Sequence, residues 1–273
     1  MEVLFLGSAA AEGWPAPFCS CYACREARKL GGKDIRSRAG ALIDNVVKID
    51  YGPDVVGQLQ RVGRDLTSVS TLLFTHEHDD HCVPSELQYR QRGFVTDDTV
   101  LPPLTIYGNR HVLDKLKREH PDPSKLEASY GTILEPFKTV RTADDTAVLP
   151  LPASHTEGAL LLRIERAGKR LLWGHDTGLF PRETMKALAG VPLDVAVFDC
   201  TYGPADTDQR NHMGFSGVLG TIADLRANGA VTPSTKLVAT HFSHNGGMLH
   251  NELVEYFTPH GIIAAYDGMV IDV

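Results

Sequence analysis

The segment from Thr75 to His81 limits what this chain can fold into, because it concentrates metal-binding chemistry in a short space. Four side chains that commonly bind metals fall within six residues: His76, His78, Asp80 and His81. Imidazole and carboxylate groups together suit divalent Zn, Mn or Fe ions. The apolar stretch 69–75 before them is typical of a buried strand. We therefore expect a fold in which a strand end fixes the direction of these ligands.

The spacing of the four residues favours two metal ions over one. In an extended segment His76 and His78 project to the same side, because side chains alternate along a strand. A turn that begins at Asp79 would bring Asp80 and His81 to a neighbouring position. The alternative, a solvated polar loop, is less favoured because clustered His and Asp residues rarely lack a function.

Length and composition predict one soluble domain. The chain has 273 residues, of which 42% are hydrophobic and 22% charged, as in ordinary globular proteins. We find no linker, repeat or low-complexity segment, so we predict a single domain over residues 1–273. No stretch approaches the roughly eighteen apolar residues needed to cross a bilayer. The N-terminus has no basic region typical of a signal peptide, so we expect no membrane partner.

The formal net charge of -7 argues against nucleic acid as the main partner. A small anionic substrate fits better, because bound metals can dominate the local field. The five cysteines do not form a disulfide framework in a chain of this length. We therefore predict a cytoplasmic location.

Three of the cysteines form a cluster near the N-terminus. Thiolates spaced like Cys19, Cys21 and Cys24 can share one tetrahedral Zn ion, which then needs a fourth ligand from elsewhere. Alternatively, they are reduced, small apolar side chains in a loop. A redox pair is less favoured, because we predict no strand–motif–helix context around it.

Further apolar segments also end on polar residues. The predicted strands 148–152, 170–174, 193–198 and 236–240 lead respectively to His155, to His175 and Asp176, to Asp199 and to His241. Active sites are commonly built where strand ends converge. Other predicted elements are a hairpin turning near Asp44 and Asn45, helices over 84–92, 110–119, 181–189, 216–228 and 249–257, and a last strand over 262–273 with a turn at Asp267. Pro53 opens a short helix that carries Val55, Val56, Leu59 and Val62 on one face.

His212 lies in a polar loop after the strand that ends at Asp199. This position is on the same end of the sheet as the candidate ligands. A loop histidine there could orient a phosphate or protonate a leaving alkoxide. A surface histidine is the equally weighted alternative.

The order of these candidate ligands resembles the metallo-β-lactamase superfamily. The resemblance implies an α/β fold, the αββα four-layer sandwich, with two mixed β-sheets flanked by helices. It assigns one metal to His76, His78 and His155, the other to Asp80, His81 and His241, and the bridge between them to Asp176. A carboxylate between two cations neutralises charge and suits a separation of roughly 3.5–4 Å. His175 is assigned to a position behind the ligands or to the surface.

Several segments resemble the PhnP-type cyclic phosphodiesterases more closely than other branches. They are the cysteine cluster, Asp199–Cys200, 210–212, 240–244 and 266–271. Segments 86–103 and 156–159 do not match the family pattern. The resemblance implies a structural Zn ion held by Cys19, Cys21, Cys24 and His244, a catalytic role for His212, and a possible homodimer.

The favoured hypothesis is a binuclear phosphodiesterase that uses Zn, Mn, Fe or Ni ions. A metal-bridging hydroxide would open a cyclic phosphodiester such as 5-phosphoribosyl 1,2-cyclic phosphate, with His212 and Asp80 as catalytic residues. A nuclease of the RNase Z type is an alternative, although no Lys/Arg-rich arm is present. A lactonase or thioesterase of the same superfamily is another, and a metal-stabilised binding protein without catalysis is the least favoured.

Overall fold

Two seven-stranded mixed sheets face each other in the computed structural model, which describes residues 1–205 and 208–273. The strands are β1 (Glu2–Gly7), β2 (Gly40–Ile43), β3 (Val47–Ile49), β4 (Thr71–Leu73), β5 (Leu104–Tyr107), β6 (Ala128–Tyr130), β7 (Val140–Arg141), β8 (Ala147–Pro152), β9 (Leu160–Arg166), β10 (Lys169–Gly174), β11 (Val195–Asp199), β12 (Lys236–Thr240), β13 (Ile262–Ala264) and β14 (Met269–Asp272).

Helices cover the outer faces of both sheets. They are α1 (Tyr22–Leu30), α2 (Val55–Val62), α3 (Arg110–Glu119), α4 (Arg182–Leu188), α5 (Phe215–Ala227) and α6 (His250–Phe257). Short 3-10 helices occupy Gly32–Asp34, Pro84–Arg90, Pro123–Leu126, His244–Gly246 and Thr258–His260.

The two sheets share one plan, half parallel and half antiparallel. The first has the order β14-β1-β2-β3-β4-β5-β6 and is parallel from β3 to β6. The second has the order β13-β12-β11-β10-β9-β8-β7 and is parallel from β13 to β10. The parallel half of each sheet needs crossover connections, which the intervening helices provide.

Three apolar layers hold the sandwich together. Between the sheets, Phe5 and Ile49 from the first sheet pack with Trp173 and Val197 from the second. Separate clusters bury the outer face of the first sheet against α2 and α3, and that of the second against α1, α4, α5 and α6. This helix–sheet–sheet–helix order confirms the predicted αββα sandwich.

Most of the predicted elements are present with small shifts in their ends. Asp44 and Asn45 adopt φ values of 49° and 55°, which the tight turn between β2 and β3 requires. The helix predicted over 110–119 is α3 with the same bounds, whereas the helix predicted over 84–92 is the 3-10 helix Pro84–Arg90.

Three expectations about individual elements are wrong. The strand predicted over 262–273 is two strands in different sheets, β13 and β14, because the turn at Asp267 crosses between them. In α2, Val56 is exposed and Gln58 is buried, where its amide donates to the Arg38 carbonyl. A helix, α1, starts at Tyr22 directly after Cys21 and contains Cys24, so the cysteine cluster does lead into a helix.

None of the helices in the described residues is long and apolar enough to span a membrane. All five cysteines are free.

We expect Phe5 and Trp173 to couple energetically, because their ring centroids lie 5.4 Å apart across the inter-sheet layer. A double-mutant cycle of Phe5→Leu and Trp173→Leu should give a coupling of about 0.5–1.5 kcal/mol in the free energy of urea unfolding. Phe257→Leu, in a different apolar layer, is the control and should add to Trp173→Leu without coupling. Additive behaviour of the first pair would contradict this packing.

Candidate metal centre

Residues at the ends of five strands meet at one edge of the sandwich. Asp50 directly follows β3, His76 is the third residue after β4, and Asp176 is the second residue after β10. Asp199 ends β11, and His241 follows β12. Because these strands belong to the parallel halves of the two sheets, their carboxyl ends lie together.

Three of these residues have left-handed backbone conformations. The φ angles are 56° at Asp50, 53° at Asp176 and 61° at His241. Such conformations cost of order 1–3 kcal/mol each in non-glycine residues and cluster at functional sites. Here they occur where the chain leaves a strand and its side chain enters the site.

The first candidate ligand set contains His76, His78, His155 and Asp176. One ligand atom from each lies within 4.8 Å of the others. His76 Nε2 is 3.1 Å from Asp176 Oδ2, His155 Nε2 is 3.3 Å from Asp176 Oδ1, and His155 Nε2 is 3.3 Å from His78 Nδ1. The structure thus brings this predicted set together.

The second set contains Asp80, His81, Asp176 and His241, again within 4.8 Å of one another. His81 Nε2 lies 3.0 Å from both Asp80 Oδ2 and Asp176 Oδ2. His241 Nε2 lies 3.6 Å from Asp176 Oδ2. Asp176 is therefore shared by both sets, while the role of each residue as a ligand stays a prediction.

Unsatisfied buried atoms show that this site fits metal ions. The Nε2 atoms of His76, His81 and His241 and the Oδ1 atom of Asp176 are buried. Each Nε2 lies 3.0–3.6 Å from a carboxylate oxygen, but among the described residues none of the four atoms has a partner with hydrogen-bond geometry. Buried polar atoms normally have one. Imidazole nitrogens and carboxylate oxygens that converge in this way are suitable ligands for divalent ions.

Two threonines orient the imidazole rings from behind. Thr75 donates its hydroxyl proton to Asp50, and its oxygen lies 3.1 Å from His76 Nδ1. Thr201 likewise donates to Asp199, and its oxygen lies 2.8 Å from His241 Nδ1. Each threonine oxygen can then accept a hydrogen bond from a ring Nδ1–H, which leaves Nε2 as the ligand atom.

Asp50 supports a third ring directly. Its Oδ2 atom lies 2.9 Å from His81 Nδ1, and the carboxylate also accepts from the Thr75 backbone N–H. Although burial would raise the pKa of Asp50, His81 and His175 hold it far below the usual range. The carboxylate therefore stays ionised and can fix the orientation of His81.

The sites also differ in their protonation without metal. Burial and neighbouring histidines lower the pKa of His155 to about 4. Burial would lower the pKa of His241 too, but Asp176 and Asp199 raise it to about 9. The second set thus holds a proton that a metal ion must displace.

His212 lies beside the shared carboxylate. Its Nδ1 atom is 3.1 Å from Asp199 Oδ2, 3.2 Å from Thr201 Oγ1 and 3.3 Å from Asp176 Oδ1. It lines a cleft of about 340 Å³ together with His78, Asp80 and other residues of the site. Asp176, Asp199, His212 and His241 also group within 4.8 Å, so His212 could itself bind a metal.

The predicted structural zinc site is brought together as a separate cluster. The ligand atoms of Cys19, Cys21, Cys24 and His244 lie within 4.8 Å of one another. His244 Nδ1 is 3.6 Å from both Cys19 Sγ and Cys21 Sγ. Although burial opposes it, hydrogen bonds from the Cys24 backbone and His244 lower the pKa of Cys21 to about 6, which favours the thiolate that zinc requires.

His175 lies behind the ligands and not on the surface. Its Nε2 atom is 3.2 Å from Asp50 Oδ2, and burial lowers its pKa to about 4. Sequence reasoning gave no supporting role to Asp50, Thr75, Asp199 or Thr201. The one signal available was that Asp50 and Asp199 end strands, as the candidate ligands do.

Two glycines permit the close approach of the loops that form the site. A Cβ atom on Gly52 would lie 2.0 Å from the Asp80 carbonyl oxygen. One on Gly178 would lie 2.2 and 2.3 Å from the carbonyl oxygens of Gln209 and Arg210, just before His212. Larger residues would displace these loops.

We expect Asp176→Asn and Cys24→Ser to remove different metal ions. Asp176→Asn should weaken binding at the shared centre by at least tenfold, because an amide oxygen is a poorer ligand than a carboxylate. Cys24→Ser should release only the metal at the cysteine cluster. Metal analysis after equilibrium dialysis would measure both. Loss of all metal from either variant would contradict two independent sites.

The metal-free protein should be most stable near pH 6.5, the ordinary pKa of histidine. Below that, stability falls towards pH 4, because folded His155 and His175 resist protonation. Above it, stability falls as pH rises through about 9, because folded His81 and His241 retain protons that the unfolded chain has lost. Urea unfolding across this range measures both limbs, and His241→Gln should weaken the alkaline one.

Comparisons with known proteins agree with this architecture. The chain is 27% identical over 158 residues to endoribonuclease ysh-1 of Neurospora crassa and 30% identical over 160 residues to endoribonuclease ysh1 of Aspergillus fumigatus. These matches cover 52% and 51% of this chain but only 18% of each relative. The chain thus corresponds to less than a fifth of the length of these relatives.

Solved structures share the fold over nearly the whole chain. A diphosphatase from the PhnP family has a TM-score of 0.75 at 21% identity, covering 99% of this chain and 97% of its own. Zn²⁺-bound PqqB from Methylobacterium extorquens has a TM-score of 0.76 at 19% identity, with full coverage of both chains. The short form of human tRNase Z has a TM-score of 0.66 at 18% identity, covering 100% and 99%.

A family model described as the Beta-lactamase superfamily domain matches residues 45–242, well over half of the 273 residues. This range includes both halves of the candidate metal centre, from Asp50 to His241. The sandwich of two mixed sheets, with its histidine and aspartate sets at the strand ends, is the fold that the resemblance implied. The chain belongs to the metallo-β-lactamase superfamily.

Proposed function

We propose that this protein is a metal-dependent phosphodiesterase. The observation that carries the proposal is the position of Asp176, whose carboxylate is shared by two histidine-containing ligand sets. His212, held by Asp199 beside that carboxylate, provides a proton donor at the same cleft.

The two ligand sets would each hold one divalent ion. His76, His78 and His155 would bind the first, Asp80, His81 and His241 the second, and Asp176 both. When bound, such a pair lowers the pKa of a coordinated water and neutralises charge on a phosphoryl oxygen. Zn, Mn, Fe and Ni ions are all compatible with these ligands.

The protein's own groups then handle protons and orientation. When the His212 ring carries both protons, its Nδ1–H donates to Asp199 and its Nε2–H can protonate the departing sugar oxygen. Asp80 lines the cleft, where its carboxylate can accept a hydrogen bond from a water in the cleft as well as bind metal. Thr201 connects His212 and His241 through one hydroxyl, so both rings share a support.

A small cyclic phosphodiester is the substrate class that we favour. The cleft of about 340 Å³ lies within the size range of small-molecule sites. The cysteine cluster and His212 support a PhnP-like enzyme, and a diphosphatase of that family shares the fold. We therefore propose 5-phosphoribosyl 1,2-cyclic phosphate as the first substrate to examine.

RNA hydrolysis is the second candidate. The sequence-based expectation that nucleic acid is an unlikely partner is not supported, because the curated relatives are named endoribonucleases. A larger cleft of about 780 Å³ adjoins the site at His78 and Asp80. It is lined by Arg118, by Arg38 and Lys115, which pair with Asp54 and Asp79, and by the acidic residues Asp79 and Glu119. Basic side chains along such a cleft suit a phosphate backbone.

We further propose that the chain acts as one hydrolase domain, in which β14 pairs with β1 and joins the two ends of the chain. A homodimer and a cytoplasmic location also remain proposals from the sequence.

Phosphorus NMR of the Mn- or Zn-loaded protein tests the function. We expect hydrolysis of 5-phosphoribosyl 1,2-cyclic phosphate to exceed that of cyclic AMP and of a nitrophenyl phosphodiester. Preferential cleavage of a short RNA would favour the second candidate. No hydrolysis of any phosphodiester by protein with both metals bound would overturn the proposal.

His212→Ala should lower kcat by about 10²–10⁴ while bound metal is unchanged, because the variant loses a proton donor but no required ligand. Steady-state kinetics and metal analysis on the same sample give both quantities. His111→Ala, an exposed histidine on α3, is the matched control. Parallel loss of metal and activity would show that His212 is a ligand instead.

A further inference from the structure

A separate cavity lies on the outer face of the first sheet, beneath α2 and the segment 87–101. It has a volume of about 410 Å³, within the range of small-molecule pockets. Its lining is mostly apolar and includes Leu59, Leu66, Leu72, Leu87, Leu101 and Leu104. We refer to it as the outer cavity. The metal centre, at the strand ends, does not use it.

A buried lysine stands in the wall of the outer cavity. Lys48 on β3 is 1% exposed, and its Nζ atom donates to the backbone carbonyls of Ile49, at 2.8 Å, and of Asp50. An ammonium group has three donors, so one remains. Nowhere in the described ranges does a carboxylate form an ion pair with it, although fully buried lysines are normally paired.

The other charges at the cavity are also mostly positive. Arg64 and Arg90 line it, together with one carboxylate, Asp65. Arg64 pairs with Glu2 at 3.4 Å, and the Arg90 guanidinium donates to the carbonyls of Leu126 and Pro102. The Asp65 carboxylate is turned to its own loop, where it accepts from the backbone N–H and the hydroxyl of Thr67. The cavity therefore combines apolar walls with one ammonium group, that of Lys48, which is complementary to an anionic head on an apolar body.

We propose that the outer cavity binds an amphipathic monoanion, an alkyl carboxylate whose chain packs on the leucines and whose head pairs with Lys48. Burial lowers the pKa of Lys48 to about 8, and an anion at the head position would restore its charged form.

A ligand in the outer cavity would contact residues that support the candidate metal centre. Lys48 donates to the carbonyl of Asp50, whose carboxylate holds His81. Tyr51, which also lines the cavity, donates its backbone N–H to the His81 carbonyl at 2.7 Å.

Equilibrium dialysis of the metal-loaded protein with octanoate, decanoate and dodecanoate tests the proposal. Each added methylene should tighten binding by about fourfold until the cavity is full. Decanoate should bind at least tenfold more tightly than decanol. In Lys48→Met, decanoate and decanol should bind with equal affinity, because decanoate binds more weakly while the affinity for decanol is unchanged. Equal affinities in the unchanged protein would overturn the charged head position.

Because Lys48→Met could impair folding, a second pair of variants tests the location. Leu101→Trp fills the cavity and should weaken decanoate binding at least tenfold. Val100→Trp, at the exposed neighbouring position, should not. Unchanged binding in Leu101→Trp would overturn the proposal. The proposal would also be overturned if light scattering showed a dimer that Leu101→Trp dissociates, because a second copy of the chain would then cover the cavity.

Discussion

The carboxylate of Asp176 is the group on which the rest of the candidate site depends. Its two oxygens face the ring nitrogens of His76, His81, His155 and His212 within 3.3 Å. A buried carboxylate is unfavourable by itself, yet surrounding histidines hold the pKa of Asp176 well below its usual range. The fixed negative charge can serve two cations as a common ligand. Asp176 itself has a left-handed backbone conformation just after β10.

The fold positions this carboxylate by aligning the parallel halves of the two sheets. Strand ends from the first sheet supply the histidine segment, and strand ends from the second supply Asp176 and His241. Behind them, Asp50 with Thr75 and Asp199 with Thr201 form two similar hydrogen-bonded pairs, one for each sheet. Each pair orients an imidazole with its Nε2 atom towards the centre. The candidate metal ligands are therefore preorganised by residues of both sheets.

Sequence patterns identified the residues that meet at the candidate centre better than the residues that support them, and the reason is physical. Local alternation and strand-end position identify His76, Asp176 and His241, whereas the contact of His81 with Asp50 joins residues 31 positions apart. Helix α1 was missed, although Ala23, Cys24 and Ala27 are buried at helical spacing, because these side chains are smaller than those of a typical apolar helix face. The single strand predicted over 262–273 is two strands in the structure. The sheet to which a strand belongs depends on partners far along the chain, and a local pattern does not contain them.

The most direct test of the account is electron paramagnetic resonance of the protein loaded with two equivalents of Mn²⁺. Two ions that share the Asp176 carboxylate should give an exchange-coupled signal, and Asp176→Ala should convert it to that of isolated Mn²⁺ while one or both ions are lost. An uncoupled signal from protein that retains two ions at the centre would contradict the shared carboxylate, and with it the proposed binuclear chemistry.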